Sequence, residues 1–417
     1  MCVCKRYIKI VLAIVSAIAM FSCTSEWQDE LEPGYSNSNG NPGDRVILEE
    51  TRDVLVLYSA GNNDISSFLS NDIDTLRMSG WLPTAYRDDD VVVVYAHSPK
   101  KNPVLCRLYR DFDDTVVMDT LVTYGVSDFS STTTQLNKVL TEVKSLFPAA
   151  GYGLVFSSHA TGYLPAGFYG NENSYIYTGD MMRSVGQDKV SGVSHEIELA
   201  DFVDAIPMKL DYLIFDACLM GGVEVAYQLR NKVKYLVCSP TEVLAEGMNY
   251  KTLVSNLFAS EEPDLQKVCY DYFVQYDVRE GVNRSATITL LDCTRMSQLA
   301  GLCEELFESY RDEILKVNYR YVQRYYRESQ NYRDRYHWFY DLESILVEAG
   351  ITDAEKVRLR AALDECIIYK NHTPSFMNSF AIKTYSGLSM YLPSHGHSEL
   401  SKFYKTLDWN VATGLVR

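Results

Sequence analysis

Two residues with complementary chemistry stand at the ends of two apolar runs in this sequence. One run, YGLVFSSHATG at 152–162, leads to His159, and the other, YLIFDACLMGG at 212–222, leads to Cys218. A neighbouring imidazole lowers the pKa of a thiol and supplies a general acid for a leaving amine. Backbone N–H groups in the turns that follow can hold an oxyanion. These residues predict a thiol acyl-transfer site if the fold brings them together.

The surrounding elements favour a sheet that would do so. Continuous apolar runs at 53–60, 90–98 and 211–216 are typical of strands buried on both faces. Helical patterns at 63–79 and 131–147 lie between them. This alternation predicts an α/β fold with a mainly parallel sheet flanked by helices. Functional groups in such sheets gather beyond the carboxyl ends of the strands, and neighbouring strands lie about 5 Å apart.

The second half of the sequence has a different pattern. From about Ala259 onward it is mostly helical, with strand-like exceptions at 285–293 and 387–393. The Arg- and Tyr-rich stretch at 320–340 has helical spacing and predicts an amphipathic helix that packs on the sheet. We therefore expect a catalytic domain at 51–258 and an appended, mostly helical C-terminal domain at 259–417.

The N-terminus has the pattern of an export signal. Three cations precede an apolar stretch at 10–21, and Ser22-Cys23 follows. The stretch is too short and one-sided for a spanning helix, so residues 1–22 are predicted to be a signal peptide. A small residue before Cys23 resembles a bacterial lipobox, which implies that Cys23 is lipidated; plain secretion is the alternative. The polar stretch at 23–50 would then be a lipidated, flexible tether to the cell envelope, periplasmic or surface-exposed.

Composition excludes several other classes of protein. The formal net charge of −16 argues against an extended nucleic-acid surface. Three of the ten cysteines belong to the signal region, and the other seven are scattered without paired spacing. We therefore predict no zinc site and no disulfide framework. The acidic turn RDDD at 87–90 is the one weak candidate for calcium, and a polar turn before a strand is the better interpretation.

Three segments together resemble the clostripain family of cysteine peptidases. They are SSHATGYLPAGF at 157–168, YLIFDACLMGGVEVAYQL at 212–229 and YLVCSPTEVLAEGMNY at 235–250, and a weaker match is GLSMYLP at 387–393. The resemblance implies a caspase-like fold for residues 51–258 and cysteine endopeptidase activity on protein or peptide substrates. It also implies that His159 is the general acid/base and Cys218 the nucleophile. The family typically works with this dyad, and the sequence offers no obvious third member.

The resemblance also assigns the oxyanion site and the substrate pocket. The backbone N–H groups of Ala160 and Cys218 would bind the oxyanion, with Ala160 where the fold commonly has Gly. Asp216 lies two residues before Cys218 on a strand and so points to the same side. The family implies that this carboxylate selects Arg or Lys at the cleaved position, and Arg can pair bidentately with it. Glu246 matches a second acidic position of the same pocket in some relatives.

Relatives in this family are often activated by cutting themselves between the two catalytic strands. The polar stretch at 169–198 is suited to a mobile loop. Within it, Arg183 and Lys189 are the candidate cleavage sites for an enzyme that cuts after basic residues. Arg183 ranks first because Arg fits a bidentate acid pocket better than Lys.

Other interpretations remain open. One is a catalytically silent binding lipoprotein with the caspase-like fold, and another is a transpeptidase or ligase on the same scaffold. We expect a monomer without a cofactor or a nucleic-acid partner.

Overall fold

A nine-stranded sheet runs through the protein. The structure is a computed structural model that describes residues 51–84, 89–168, 185–190, 193–326 and 338–417, and Glu50–Arg417 forms one compact unit. The strands are β1 Thr51–Ala60, β2 Val91–His97, β3 Val104–Arg110, β4 Val116–Thr123, β5 Ala149–Ser157, β6 Val185–Val190, β7 Val193–Ile197, β8 Leu210–Asp216, β9 Val233–Cys238, β10 Thr287–Asp292, β11 Tyr340–Asp341, β12 Ile367–His372, β13 Ser375–Phe376, β14 Phe380–Ala381 and β15 Ser389–Met390.

The centre of this sheet is parallel and its edges are antiparallel. The strand order is β12-β10-β9-β8-β5-β1-β2-β3-β4, and each neighbouring pair from β9 to β2 is parallel. The predicted α/β fold with a mainly parallel sheet is therefore confirmed. The helices are α1 Ser66–Arg77, α2 Thr133–Leu146, α3 Leu199–Ala205, α4 Val223–Leu229, α5 Tyr250–Phe258, α6 Leu265–Asp277, α7 Met296–Ser309, α8 Arg311–Ile314, α9 Leu342–Glu348, α10 Asp353–Cys366, α11 Ser398–Tyr404 and α12 Asp408–Thr413.

The local sequence explains the elements that position the site. Residues 54–60 of β1 and 91–95 of β2 are buried, as expected of central strands covered on both faces. In α2, the hydroxyl of Thr132 accepts a hydrogen bond from the N–H of Gln135, which caps the helix start. The predicted helix at 63–79 is α1, whose stripe of buried residues faces inward.

The sheet continues past the predicted domain boundary between residues 258 and 259. Strand β10 pairs antiparallel with β9, and β12 pairs antiparallel with β10, so both come from the expected C-terminal domain. The apolar run of β10 covers the edge of β9, which would otherwise present unpaired backbone groups. The predicted split of 51–258 from 259–417 therefore falls inside one sheet-forming unit.

The amphipathic helix expected at 320–340 does not form in the described part of that stretch. Tyr319–Tyr321 is a 3-10 turn, and Arg324 forms an isolated bridge with Tyr340. The hydroxyl of the buried Tyr325 donates a hydrogen bond to Oδ2 of Asp341 at 2.5 Å. Tertiary contacts therefore decide the conformation of this stretch. The prediction is wrong for these residues, and its remainder, 327–337, lies outside the described residues.

Candidate active site

Strands β5 and β8 carry the two predicted catalytic residues to the same place. They are parallel neighbours, and Ser157 and Asp216 form the last registered pair of the ladder. His159 and Cys218 each follow that pair by two residues. Both side chains line one cavity of about 100 Å³ at the carboxyl ends of the strands. The register of two adjacent strands thus brings an imidazole and a thiol to one cavity.

Cys218 differs from the other cysteines in its exposure. Of the seven cysteines that the structure describes, it alone is half-buried and the other six are buried. The N–H of Val243 lies 3.3 Å from its Sγ, and the carbonyl oxygen of Val243 lies 3.7 Å from it. The loop that follows β9 therefore holds the thiol in the cavity.

The turn after Cys218 is strained and tightly held. Leu219 has a φ of 64°, in the left-handed region that a branched side chain rarely adopts. Its N–H donates to the carbonyl of Thr241 at 2.8 Å, and that of Gly221 donates to the carbonyl of Ser239 at 2.8 Å. A Cβ on Gly221 would lie 2.4 Å from the nitrogen of Pro240, so only glycine fits. These contacts fix the backbone immediately after the thiol.

His159 has a carboxylate partner that the sequence analysis missed. Its Nε2 lies 2.7 Å from Oδ1 of Asp64, in the turn after β1. This hydrogen bond is the main cause that lowers the pKa of Asp64. Among the described residues, nothing hydrogen-bonds the other ring nitrogen, Nδ1, which leaves it available to a reacting group. The signal was present in the polar stretch GNND at 61–64, which follows the carboxyl end of a strand as His159 and Cys218 do.

Asp216 lies in the wall of the same cavity. Its side chain is buried, with 6% of the residue exposed, and its Oδ2 accepts hydrogen bonds from Tyr250 Oη at 2.7 Å and Ser157 Oγ at 3.1 Å. Burial raises its pKa, while these donors oppose the shift. Gly247, with a φ of +60°, passes so close that a Cβ there would lie 2.4 Å from Oδ2. The carboxylate is therefore fixed by its donors and by close backbone contact.

A second carboxylate, Asp72 of α1, lines the same cavity. It is also buried, with 6% of the residue exposed. Burial first, and then the negative charges of Asp216 and Glu246, raise the pKa of Asp72 to about 8. This residue was not predicted, although a lone acid on the apolar stripe of a predicted helix is a signal that the sequence contains.

Glu246 has a different environment from the other acids. Its side chain is 49% exposed, and its Oε1 lies 3.2 Å from Nη1 of Arg279. Its neighbours Ala245 and Gly247 line the cavity, but Glu246 is not among the lining residues. In this conformation its charge therefore acts on the cavity from the rim, and its predicted contact with substrate stays a prediction.

The segment between β5 and β8 contains two paired strands. Strands β6 and β7 form an antiparallel hairpin. Its residue Lys189 is exposed, and the N–H of Lys189 donates to the carbonyl of Asn62 at 2.8 Å. The expected mobile loop is therefore wrong for 185–190 and 193–197, because backbone pairing holds these residues. Arg183 lies outside the described residues, as does Cys23.

The hairpin packs against the carboxyl ends of β1 and β5. The N–H of Gln187 donates to Ser158 Oγ at 3.1 Å, and Ala160 forms an isolated bridge with Val185. Asp188 is fully buried and accepts a hydrogen bond from the N–H of Ser131 at 2.6 Å. The residue after His159 is thus part of a fixed backbone surface, and the oxyanion role of Ala160 stays a prediction.

Within the described ranges, no group of three or more His, Cys, Asp or Glu side chains is arranged to hold a metal ion. In the same ranges, no helix combines the length and apolar character that crossing a bilayer requires.

Comparison with known proteins agrees with this fold. The family model described as the clostripain family matches residues 57–413. The clostripain of Hathewaya histolytica is 25% identical over 262 residues, which cover 55% of this chain but only 45% of that protein.

Two solved structures extend over most of the chain. An inactive zymogen C11 protease from Parabacteroides distasonis is 26% identical, with a TM-score of 0.73, and the match covers 88% of this chain and 99% of that one. A secreted C11 cysteine protease from Bacteroides thetaiotaomicron, in complex with an irreversible peptide inhibitor, is 24% identical, with a TM-score of 0.71 and coverage of 87% and 98%. The predicted caspase-like fold is confirmed. Because the family match spans most of its length, this protein belongs to the clostripain family.

Proposed function

We propose that this protein is a cysteine endopeptidase that hydrolyses peptide bonds after Arg or Lys. The observation that carries the proposal is the meeting of His159 and Cys218 at one cavity whose wall holds the buried carboxylate of Asp216. Membership of the clostripain family supports peptidase activity over the silent binding protein and the ligase.

Covalent catalysis by the dyad would proceed in two steps. The sulfur of Cys218, as thiolate, attacks the carbonyl carbon of the peptide bond and forms a tetrahedral intermediate. The imidazolium of His159 gives its proton to the leaving amine as the C–N bond breaks, which leaves a thioester on Cys218. His159 then removes a proton from water, whose oxygen attacks the thioester, and the carboxylic acid product leaves as the thiol forms again. No cofactor takes part in this sequence, and a calcium requirement stays untested.

Two sets of groups would support these steps. The N–H groups of Ala160 and Cys218 are the proposed oxyanion donors, since both follow the carboxyl ends of adjacent strands. Asp64 is the proposed positioning residue of the imidazole, because its hydrogen bond to Nε2 leaves Nδ1 for proton transfer. The structure therefore supports a His159 whose ring is oriented by a carboxylate, in addition to the predicted dyad.

The chemistry of the pocket supports the choice of a basic residue. A cationic side chain that enters the cavity would meet Asp216, whose burial weakens competition from water. The guanidinium of Arg can pair with both carboxylate oxygens, and the ammonium of Lys with one. Glu246 would add negative charge at the rim of the pocket if it left its ion pair with Arg279 and paired with the cationic side chain of the substrate.

Export and processing complete the proposal. The N-terminal pattern supports a protein secreted by its signal peptide and anchored to the cell envelope through lipidated Cys23. Self-cleavage after Arg183 would cut the chain one residue before β6, which begins at Val185. Cleavage after Lys189 would require the hairpin to open.

Mapping the bonds that the protein cuts tests this function. The purified mature protein would be incubated with a peptide library, and the products would be identified by mass spectrometry. Hydrolysed products with C-terminal Arg or Lys are expected. Joined peptides would show a transpeptidase or ligase instead, and the absence of any product after processing would favour the silent binding protein.

A further inference from the structure

We propose that Asp72 is a second acid of the substrate pocket, which binds the cationic side chain of the residue before the cleaved bond together with Asp216. This inference rests on the proposed cleavage after Arg or Lys. It adds Asp72 of helix α1 to the pocket, a residue outside the sequence segments that predicted His159, Cys218 and Asp216.

Asp72 lies on the buried face of its helix. The buried residues of α1 are Leu69, Asp72 and Leu76, so the carboxylate occupies the inward-facing apolar stripe. Ile65 and Leu69, at the start of the helix, line the same cavity as Asp72, and so does Asp216. An ionisable group at a buried position that lines a cavity can contact whatever fills the cavity.

The two carboxylates differ in their hydrogen-bond partners. Asp216 accepts hydrogen bonds from Tyr250 and Ser157, and the backbone of Met248 also favours its charged form. None of the described residues donates a hydrogen bond to the carboxylate of Asp72. A buried polar group without a partner is costly, and the site lies where a cationic ligand would supply one. Asp216 is therefore satisfied without a ligand, and Asp72 is not.

Several ionisable groups surround Asp72 in and around the cavity. Two buried carboxylates in one cavity cannot both ionise without strong repulsion. The titratable groups that act on Asp72 are Asp216 on β8, Glu246 in the loop after β9 and Tyr250 on α5, and His159 and Cys218 line the same cavity. Because Asp216 has the donors, Asp72 holds the proton in the empty pocket.

Entry of a cation changes this balance. A guanidinium or ammonium between the two acids favours the ionised form of both, so the proton of Asp72 passes to solvent as the cation binds. With the pKa of Asp72 near 8 in the empty pocket, this proton release occurs at neutral pH. The affinity for a cationic residue should therefore rise with pH up to about 8, and the affinity for a neutral residue of the same shape should not.

The test is Asp72→Asn, which removes the charge and keeps the shape. Its matched control is Asp74→Asn on the same helix, where the side chain is exposed and paired with Arg77. Steady-state kinetics would use three fluorogenic peptides that differ only at the cleaved position, which carries Arg, Lys or citrulline. Thermal melting and the rate of Cys218 alkylation by iodoacetamide would verify that each variant is folded with an intact thiol.

We expect Asp72→Asn to lower kcat/KM for the Arg and Lys peptides by roughly 10- to 100-fold, the effect of one lost hydrogen bond to a charged group. The loss should appear mainly in KM, and the rise of affinity between pH 6 and about 8 should disappear. The citrulline peptide and the Asp74→Asn variant should be unaffected.

Other results would overturn the inference in distinguishable ways. Asp72 would be only a structural acid if Asp72→Asn kept both the preference for Arg and Lys over citrulline and the pH dependence of the affinity for these cationic residues. The same would follow if the variant cleaved all three peptides more slowly by an equal factor. The proposed specificity would still stand. If the wild type itself cut the citrulline peptide as well as the Arg peptide, the proposed specificity and this inference would both be wrong.

Discussion

Oδ1 of Asp64 lies 2.7 Å from Nε2 of His159, and the two residues come from the ends of adjacent strands. In the proposed mechanism this pair extends the expected dyad to three groups, because the carboxylate would orient the imidazole that acts on the thiol. The pair is solvent-accessible, with the Asp64 side chain 73% exposed, so its contribution to stability is small. Its effect should therefore be on reaction rate.

Asp64→Asn should lower kcat by roughly tenfold with little change in KM, because an amide orients imidazole less well than a carboxylate does. Asp64→Glu, which keeps the charge, should recover part of the rate. The melting temperature should stay the same in both variants. A fall in melting temperature that accompanied the loss of rate, or a kcat equal to that of the wild type, would contradict the orienting role.

The exposure of Cys218 predicts selective chemistry at this thiol. Burial raises the pKa of the other six described cysteines, which makes them poor nucleophiles as well as inaccessible ones; they are Cys106, Cys238, Cys269, Cys293, Cys303 and Cys366. Iodoacetamide should therefore modify Cys218 alone in the folded mature protein and abolish turnover.

Peptide mapping by mass spectrometry gives the measurement. Cys218→Ala should lose both the modification and the activity while it stays folded. Cys106→Ala, at a buried cysteine of β3, should keep both. If Cys218→Ala retained turnover near that of the wild type, the assignment of the nucleophile would be wrong.

Asp216→Asn should impair cleavage after basic residues more than any change at Glu246. Removing one partner of a desolvated charge pair typically costs about 3–5 kcal/mol, so kcat/KM for Arg and Lys peptides should fall by at least two to three orders of magnitude. Glu246→Gln should cause a smaller loss, since this carboxylate is half-exposed and paired with Arg279. Equal effects of the two substitutions on the same peptides would mean that the buried acid is not the primary determinant.

The sequence predicted that His159 and Cys218 would line one site, because the signal for each residue is local. Apolar runs that end in His159 and Cys218 reveal both the strands and the groups at their carboxyl ends. Asp64 and Asp72 give weaker signals, since one lies in a polar turn and the other is a single acid in a helix. Their roles depend on which strand neighbours β5 and which face of α1 meets the cavity. The antiparallel addition of β10 and β12 was missed for the same reason, because pairing across long separations leaves little local pattern.

The buried acid Glu224 predicts how the free energy of unfolding depends on pH. Glu224 of α4 is 1% exposed, and its Oε1 accepts hydrogen bonds from the N–H of Tyr391 at 3.0 Å and the hydroxyl of Tyr404 at 2.7 Å. Its Oε2 has no partner among the described residues. Burial raises the pKa of Glu224 from its usual 4.5 to about 7, despite these donors.

An acid with a raised pKa in the folded state stabilises the fold most at low pH. Its contribution is therefore full below about pH 4.5 and is lost as pH rises toward 7, by an amount on the order of 3 kcal/mol. Glu224→Gln keeps the acceptor oxygen and cannot ionise, so its free energy of unfolding should depend less on pH in this window. Urea denaturation at pH 5, 6 and 7 provides the comparison with the wild type. Parallel pH dependence in both proteins would show that Glu224 does not titrate there.

Processing between the catalytic strands should occur at Arg183. Two hydrogen bonds hold the hairpin that follows: the N–H of Lys189 donates to the carbonyl of Asn62, and the buried carboxylate of Asp188 accepts from the N–H of Ser131. A cut just before β6 therefore leaves the new N-terminal segment anchored. Wild-type protein should therefore give two chains that stay associated, with a new N-terminus at Ser184. Arg183→Gln should stop this cut, whereas Lys189→Gln should not, because Lys189 lies within a paired strand.

Cys218→Ala should remain whole, and mixing it with active wild type distinguishes cutting in cis from cutting in trans. N-terminal sequencing and gel filtration of the wild type give the measurement. A new N-terminus at Val190 would move the site to Lys189, and an uncut wild type with full activity would exclude self-processing from the mechanism.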